Sequence, residues 1–144
     1  MKDEYDALKL ENQLCFPLYA ASREIIKRYR PHLDALDLTY TQYIAMMVFW
    51  QENKISVKDL GKRLYLDSGT LTPVLKSLEQ KGFVKRRRSA MDERVLIVEL
   101  TEEGSALRDR AVGIPEALSK AIRLSPKESA DLYTLLYKIL GDLE

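Results

Sequence analysis

The sequence predicts a mainly helical α+β protein in which one β-hairpin interrupts a series of amphipathic helices. Apolar residues recur at three- and four-residue steps in both arms of the chain, as in helices that bury one face. Near the middle, residues 83–88 and 94–100 resemble two short strands on either side of a five-residue polar turn, a spacing typical of a hairpin.

Composition places the chain among globular proteins. Its 144 residues, 46% hydrophobic and 31% charged, fit one domain or a small domain with helical extensions. The single cysteine excludes an intramolecular disulfide and, with only one histidine, a structural zinc site. The longest uncharged run, residues 38–51, is too short to span a bilayer, and residues 1–11 lack a signal-peptide core. We therefore expect a soluble cytoplasmic protein with no metal, no cofactor and no membrane partner.

Periodicity and a cap predict the first two helices. The apolar face of the first comprises Leu14, Leu18, Ala21, Ile25 and Tyr29. We expect this helix to end at Pro31, because the residue before a proline disfavours helical geometry. Thr39 is a candidate N-cap for a second helix through the apolar stretch 43–50.

Two further caps predict a pair of short helices before the hairpin. Ser56, followed three residues later by an aspartate, resembles a capping box that opens a helix over residues 57–64. Asp67 or Ser68 caps the next helix, which we expect to stop at Gly82.

Helices also follow the hairpin. Thr101 caps one with two glutamates in its first turn, and Gly113 and Pro115 bend or break it. Residues 125–128, Ser-Pro-Lys-Glu, are typical of a helix start. One face of that last helix comprises Leu132, Leu136, Ile139 and Leu143.

Charge is distributed unevenly along the chain. Residues 54–94 contain 11 basic and 5 acidic side chains, a net charge of +6, and the remainder has a net charge of −5, although the whole chain is at +1. A basic middle between acidic arms is typical of a nucleic-acid-binding module, although a solvated surface gives the same pattern.

The order helix, turn, helix and hairpin predicts a winged helix-turn-helix DNA-binding region over residues 54–100. The helical regions 1–53 and 101–144 are predicted to form a dimerisation region. A two-fold homodimer would match a pseudo-palindromic operator in double-stranded DNA. Packing of the two arms within one chain is the alternative.

Candidate DNA contacts lie in the second helix of this region and in the hairpin. They are Asp67, Ser68, Thr70, Thr72, Lys76, Arg86, Arg88 and Arg94. Small hydroxyls reach base edges or phosphates, Lys76 suits a phosphate, and a hairpin arginine fits a narrow A·T minor groove. Asp67 can read a cytosine amino group or serve only as an N-cap, and an arginine run is often a solvated face. Pro73 is tolerated in the first helical turn but costs a hydrogen bond further in.

Several blocks of sequence resemble a known family. Residues 66–73, LDSGTLTP, and residues 92–94, Asp-Glu-Arg, resemble the MarR family of dimeric winged-helix regulators. Three further blocks resemble the organic-hydroperoxide-sensing branch of this family, the one-cysteine OhrR type. They are residues 10–16 (LENQLCF), 18–24 (LYAASRE) and 38–43 (LTYTQY). The resemblance covers nearly the whole chain and is weakest after Gly113.

This resemblance implies a repressor whose sensor is Cys15 and whose effector is an organic hydroperoxide. It implies that Tyr29 and Tyr40 of the other subunit hydrogen-bond the sulfur, although filling of an amphipathic core is the alternative for both. Tyr19, one helical turn after the cysteine, and the apolar Phe16 are candidates for the same thiol pocket.

The resemblance also assigns roles in the hairpin. Asp92 supports the shape of the wing, and Arg94 reaches the minor groove. One turnover switches one subunit, so we expect a sensor rather than an enzyme.

A first-turn position would make Cys15 reactive. Only a thiolate reacts well with peroxide, and free amides at a helix N-terminus stabilise one. Pro17 favours a helix that begins just before it, whereas a start near Leu8 with a kink at Pro17 removes this advantage; a buried, inert cysteine is the other alternative. Because the chain has no second cysteine, the sulfenic acid must take a small thiol as a mixed disulfide, form a sulfenamide or over-oxidise.

Three other functions fit parts of the sequence. A repressor of the same family released by a non-covalent phenolic or other small-molecule ligand needs no cysteine. A thiol peroxidase is disfavoured by the basic hairpin and by the lack of a resolving cysteine or a nearby histidine. A non-switching architectural DNA-binding protein would show no dependence on oxidant.

Overall fold

The computed structural model describes residues 3–142 and divides the chain into two compact units, Met1–Ile114 and Pro115–Glu144. After two short 3-10 turns, its elements are α1 (Cys15–Asp34), α2 (Tyr40–Glu52), β1 (Lys54–Ser56), α3 (Val57–Leu64), α4 (Ser68–Gln80), β2 (Val84–Arg88), β3 (Leu96–Leu100), α5 (Glu102–Ala111), α6 (Ile114–Ala121) and α7 (Pro126–Asp142). Leu143, predicted on the apolar face of the last helix, lies outside the described residues. No helix within residues 3–142 is long and apolar enough to cross a membrane.

Side-chain caps begin the helices where the sequence predicts them. The side chains of Ser56, Asp67 and Thr101 each accept a hydrogen bond from the backbone N–H three residues later. Ser125 and Glu128 form a reciprocal capping box at the start of α7. These caps satisfy amides that a helix leaves without partners, so short local patterns determine the starts.

Pro31 and Pro73 lie inside helices, although a proline usually ends a helix or lies in its first turn. Pro31 does not end α1, which continues to Asp34; the prediction was wrong because Leu33 and Leu36 are buried and hold the last turn in place. Pro73 is the sixth residue of α4, beyond the first turn, and leaves a carbonyl oxygen of that helix without its usual donor.

Strand β1 is an element that the sequence analysis missed. The sheet has the order β1-β3-β2 and is antiparallel throughout. Val98 lies at its centre, paired with Ile55 on one side and Arg86 on the other. Three residues are too few to show alternation, so only the pairing with β3 identifies β1. The predicted hairpin is confirmed, with its strands one or two residues shorter at their start.

The core of the first unit surrounds α4. Its largest fully buried side chains are Phe49, Met46, Leu60, Leu71, Leu75, Leu78, Val84 and Val98, each less than 2% exposed. They come from α2, α3, α4 and the sheet, so α4 is held on its inner face by several elements. Trp50 extends this packing to α5 by donating from Nε1 to the carbonyl oxygen of Gly104 at 2.8 Å.

Gln42 joins α2 to α4 through a buried hydrogen-bond network. Its Oε1 accepts from the N–H of Thr39 at 3.0 Å and from Nζ of Lys81 at 3.1 Å, and its Nε2 donates to Oγ of Ser77 at 2.9 Å. The residue is 6% exposed, so its loss leaves the N–H of Thr39 and the hydroxyl of Ser77 without this partner, whereas Lys81 keeps the carbonyl oxygen of Asp37.

Substitution Gln42→Leu is expected to lower the free energy of unfolding by about 2 kcal/mol, because it keeps the side-chain volume and removes all three bonds. Urea denaturation measures the change. The exposed Gln80 on α4 provides a matched control, and Gln80→Leu is expected to shift stability by less than about 0.5 kcal/mol. Equal effects of the two variants would contradict a structural role for the network.

Candidate nucleic-acid interface and thiol site

Helix α4 presents short polar side chains opposite its buried face. Ser68, Thr70, Thr72 and Lys76 are exposed, whereas the leucines of this helix lie in the core. The hydroxyl of Thr72 donates to the carbonyl oxygen of Ser68 at 2.8 Å, so its lone pairs still point outward as acceptors. Three of these four exposed side chains are short, which suits a helix that enters a major groove.

Asp67 has a structural role at the start of α4. Its Oδ1 accepts from the N–H of Thr70 at 2.7 Å, and this backbone bond is the main reason why the pKa of its carboxyl lies below the usual value. The N-cap function therefore has a direct geometric basis. Base reading by Asp67 stays a prediction.

The tip of the hairpin is closed by hydrogen bonds. The N–H of Ser89 donates to the carbonyl oxygen of Val95 at 2.8 Å, continuing the ladder beyond β2 and β3. The guanidinium of Arg94 forms a fork on Asp92, with Nε–Oδ1 at 3.1 Å and Nη2–Oδ2 at 3.2 Å. These bonds, together with the N–H of Arg94, hold the pKa of Asp92 below its usual value, so this carboxyl is ionised at neutral pH. The Arg94 side chain is still 90% exposed and retains free N–H donors.

The arginines of β2 are not equivalent. Arg86 is partly buried and pairs with Glu79 of α4, which accepts from its Nη2 at 3.1 Å and from its backbone N–H at 2.9 Å. Both contacts lower the pKa of Glu79. Arg88 is exposed at the end of the strand. Of these two predicted contacts, the structure leaves Arg88 free toward solvent and gives Arg86 an intramolecular partner that sequence reasoning missed.

Cys15 is the first residue of α1 and is exposed to solvent. The prediction from Pro17 that Cys15 lies in the first turn of the helix is confirmed. The helix does not start near Leu8, and the thiol is not buried within its own chain. No side chain caps this helix at Leu14, so no cap takes up the amides of its first turn. Phe16 is 43% exposed beside the thiol.

Tyr19 lies one helical turn after Cys15. It is 58% exposed, and the guanidinium of Arg23 stacks over its ring, with Cζ 5.5 Å from the ring centroid. Nη1 of Arg23 also reaches the phenol oxygen at 3.5 Å. The cation therefore restrains the orientation of the ring on the surface of α1.

The phenols predicted to contact the sulfur form a cluster at the other end of α1. Ring centroids of Tyr29 and Tyr40 are 5.0 Å apart, and Tyr43 packs against both, at 5.8 Å and 6.2 Å. Sequence reasoning missed Tyr43, although its spacing of three from Tyr40 places both on one helix face. Burial raises the pKa of all three phenols, so they stay protonated and able to donate.

Within one chain, the structure does not bring this cluster to the thiol. Cys15 and Tyr29 lie on the same helix and, at 1.5 Å per residue, are about 21 Å apart along its axis. A contact between the thiol and these phenols therefore requires a second copy of the chain.

Known proteins place the chain in a family. The family described as Transcriptional regulator SarA/Rot matches residues 23–110. An organic hydroperoxide resistance transcriptional regulator of Bacillus subtilis is 47% identical over 143 residues, covering 99% of this chain and 97% of the relative. The HTH-type transcriptional regulator SarZ of Staphylococcus aureus is 45% identical over 123 residues, covering 85% of this chain and 83% of the relative.

Solved structures agree with these relatives in fold. Reduced AbfR bound to DNA aligns with a TM-score of 0.79 at 35% identity, covering 98% of both chains. A second structure, of AbfR of Staphylococcus epidermidis, aligns with a TM-score of 0.74 at 35% identity and covers 97% of both chains. The fold is a winged helix within a helical frame, and the relatives are regulators of transcription, not enzymes. The chain belongs to the MarR-type, SarA/Rot-related winged-helix transcriptional regulators, in the one-cysteine branch of the organic hydroperoxide resistance regulator.

Proposed function

We propose that this regulator is a repressor that binds a pseudo-palindromic operator as a homodimer and is released when organic hydroperoxide oxidises Cys15. One observation carries the proposal: an exposed first-turn thiol, and a pair of protonated phenols that the same chain holds out of its reach. The B. subtilis relative supports the proposal, because it is named for organic hydroperoxide resistance and matches nearly the full length of this chain.

Exposed apolar side chains on the helical arms support the homodimer. On or just before α1 they are Leu14, Phe16, Leu18, Tyr19 and Ile26, and on α7 they are Leu132, Tyr133, Leu135, Tyr137 and Ile139. Several exposed apolar side chains on one helix are unfavourable in water and mark an interaction site on each of these helices. A two-fold partner that covers α1 in the opposite direction would place its Tyr29 and Tyr40 phenols beside Cys15.

The chemistry at Cys15 is a two-electron oxidation of sulfur. The thiolate attacks the outer peroxide oxygen, an S–O bond forms as the O–O bond breaks, and the alkoxide leaves and takes a proton as an alcohol. The resulting sulfenic acid then condenses with a small thiol, which releases water and leaves a mixed disulfide. Neutral phenols stabilise the thiolate by donating to it, and exposed apolar side chains such as Phe16 favour an organic peroxide over hydrogen peroxide.

A physical connection leads from the phenols to the recognition helix. Tyr40 is the first residue of α2, and Gln42, two residues later, bonds Ser77 on α4. When oxidised Cys15 no longer accepts a bond from the partner's phenols, the position of α2 in that partner is free to change. Helix α4 then moves with α2, the spacing of the two recognition helices changes, and the dimer leaves the operator.

A gel shift with wild-type protein tests the proposal. The probe is a duplex carrying the promoter region upstream of the protein's own gene. We expect reduced protein to bind, and cumene hydroperoxide with free cysteine to release it at lower doses than hydrogen peroxide. Release by a phenolic compound without oxidant would favour the non-covalent ligand alternative, and binding unaffected by every treatment would contradict a switch.

A further inference from the structure

The tip of the hairpin exposes an apolar side chain that has no part in the proposed thiol switch or in the proposed dimer contact. Met91 is 97% exposed, more than any other large hydrophobic residue in the described part of the chain. The other strongly exposed ones lie on the N-terminal segment or on helices and their ends. The partner contact proposed above involves α1 and α7 and does not include the hairpin, so it does not explain Met91.

Hydrogen bonds hold Met91 at the apex. Its own N–H donates to Oγ of Ser89 at 3.2 Å, and the N–H of Val95 donates to the carbonyl oxygen of Asp92 at 2.9 Å. The Asp92–Arg94 fork closes the same turn on its other side. The thioether is thus carried by an ordered turn, three residues before Arg94, whose side chain is itself 90% exposed.

We propose that Met91 is an apolar contact of the wing in the DNA minor groove, beside Arg94. This inference rests on the proposed function, because it takes the hairpin to be the wing of an operator-binding dimer. An unbranched, polarisable side chain adapts to the sugar walls of the groove, and apolar side chains are used in this way by minor-groove proteins. The charge of the hairpin supports DNA as the occupant, since residues 84–94 carry five basic and two acidic side chains, a net charge of +3, and Arg88 and Arg94 are exposed.

The two wing residues then act through different physical forces. Arg94 interacts electrostatically, so its contribution weakens with salt. Met91 contributes through burial of apolar surface, which does not release counterions. A contact of this kind also favours A·T pairs, because G·C pairs place the guanine 2-amino group on the groove floor.

Fluorescence anisotropy with reduced protein and the duplex described above separates these contributions. We expect Met91→Ala to weaken binding about tenfold, with an unchanged slope of log K against log salt concentration, and Met91→Leu to restore most of the affinity. Arg94→Ala is expected to weaken binding and to reduce the slope by about one. Thermal unfolding of the Met91 variants checks folding, which we expect to be unchanged because the side chain contacts solvent.

Base substitution under the wing locates the contact. Replacing A·T pairs there by inosine·cytosine pairs keeps the minor-groove surface, so the tenfold difference in affinity between wild type and Met91→Ala should remain. Replacing them by G·C pairs adds the guanine 2-amino group and should remove that difference in affinity. Wild-type affinity for Met91→Ala, alongside weakened Arg94→Ala, would overturn the inference and leave the proposed function intact. Failure of wild-type protein to prefer this duplex over unrelated DNA would overturn both.

Discussion

The variant Cys15→Ser is expected to bind the operator as tightly as wild type and to remain bound at every dose of cumene hydroperoxide that releases wild type. Serine keeps about the size of the side chain, and its hydroxyl can still accept a hydrogen bond from the partner's phenols, so folding and dimerisation should not change. Its hydroxyl does not form the sulfenic acid, and the rest of the chain offers no other thiol. The expected effect is therefore complete loss of the response with no loss of affinity.

Gel shifts with a hydroperoxide titration measure this response, and intact-mass measurements follow the thiol adduct. Ser22→Ala is a suitable control, because it changes an exposed residue of α1 without touching the thiol and should respond like wild type. Release of Cys15→Ser at wild-type doses would exclude Cys15 as the sensor. The proposed mechanism would then be wrong even if operator binding is confirmed.

The variant Gly104→Ala is expected to lose about 3 kcal/mol of stability, a large part of what a domain of this size has. A Cβ atom at this position would lie 2.2 Å from the carbonyl oxygen of Phe83 and 2.7 Å from Cδ1 of Leu100. The Phe83 oxygen is restrained, because it accepts from the N–H of Thr101 at 3.1 Å. Relief of the clash must therefore move α5 away from the sheet and strain the Trp50 bond to Gly104.

In a helix, alanine is ordinarily more favourable than glycine by about 1 kcal/mol. A destabilised Gly104→Ala variant would therefore show that close packing at this position outweighs helix propensity. Gly113→Ala is the matched control, since a Cβ atom there meets nothing within 4 Å. Urea denaturation should show little change for that variant. Gly104→Ala with wild-type stability would contradict the close approach of α5 to the Gly82–Phe83 turn.

Local patterns predicted the helices well where a cap or a break defined them. Thr39, Thr101 and Ser125 cap their helices as expected, and the chain breaks between α5 and α6 near Gly113. The failures occurred where distant residues decided the outcome. Helix α1 continues through Pro31 because leucines beyond it are buried, and β1 exists because β3 supplies its hydrogen bonds.

The candidate site shows the same division. Blocks of sequence around Cys15 and in residues 66–73 were sufficient to indicate the family and to select the thiol and the polar face of α4. They did not indicate that Arg86 pairs with Glu79 or that Tyr43 joins the phenol cluster. The Arg86–Glu79 pair joins residues from different elements, and their spacing along the chain carries no signal of the contact. The spacing of three between Tyr40 and Tyr43 does place both on one face of α2, but it does not indicate that Tyr29 of α1 packs against them.

By itself, then, the sequence determined the order of elements, the basic winged helix between acidic arms, and the lone cysteine on which the proposed switch depends. These follow from caps, periodicity and residue chemistry, which act over a few residues. Only the tertiary structure decided that the thiol is exposed in a first helical turn, that the phenols predicted to contact it lie beyond its reach in the same chain, and that Met91 lies at the apex of the hairpin. Burial and distance depend on how remote segments pack, and no short stretch of sequence contains that information.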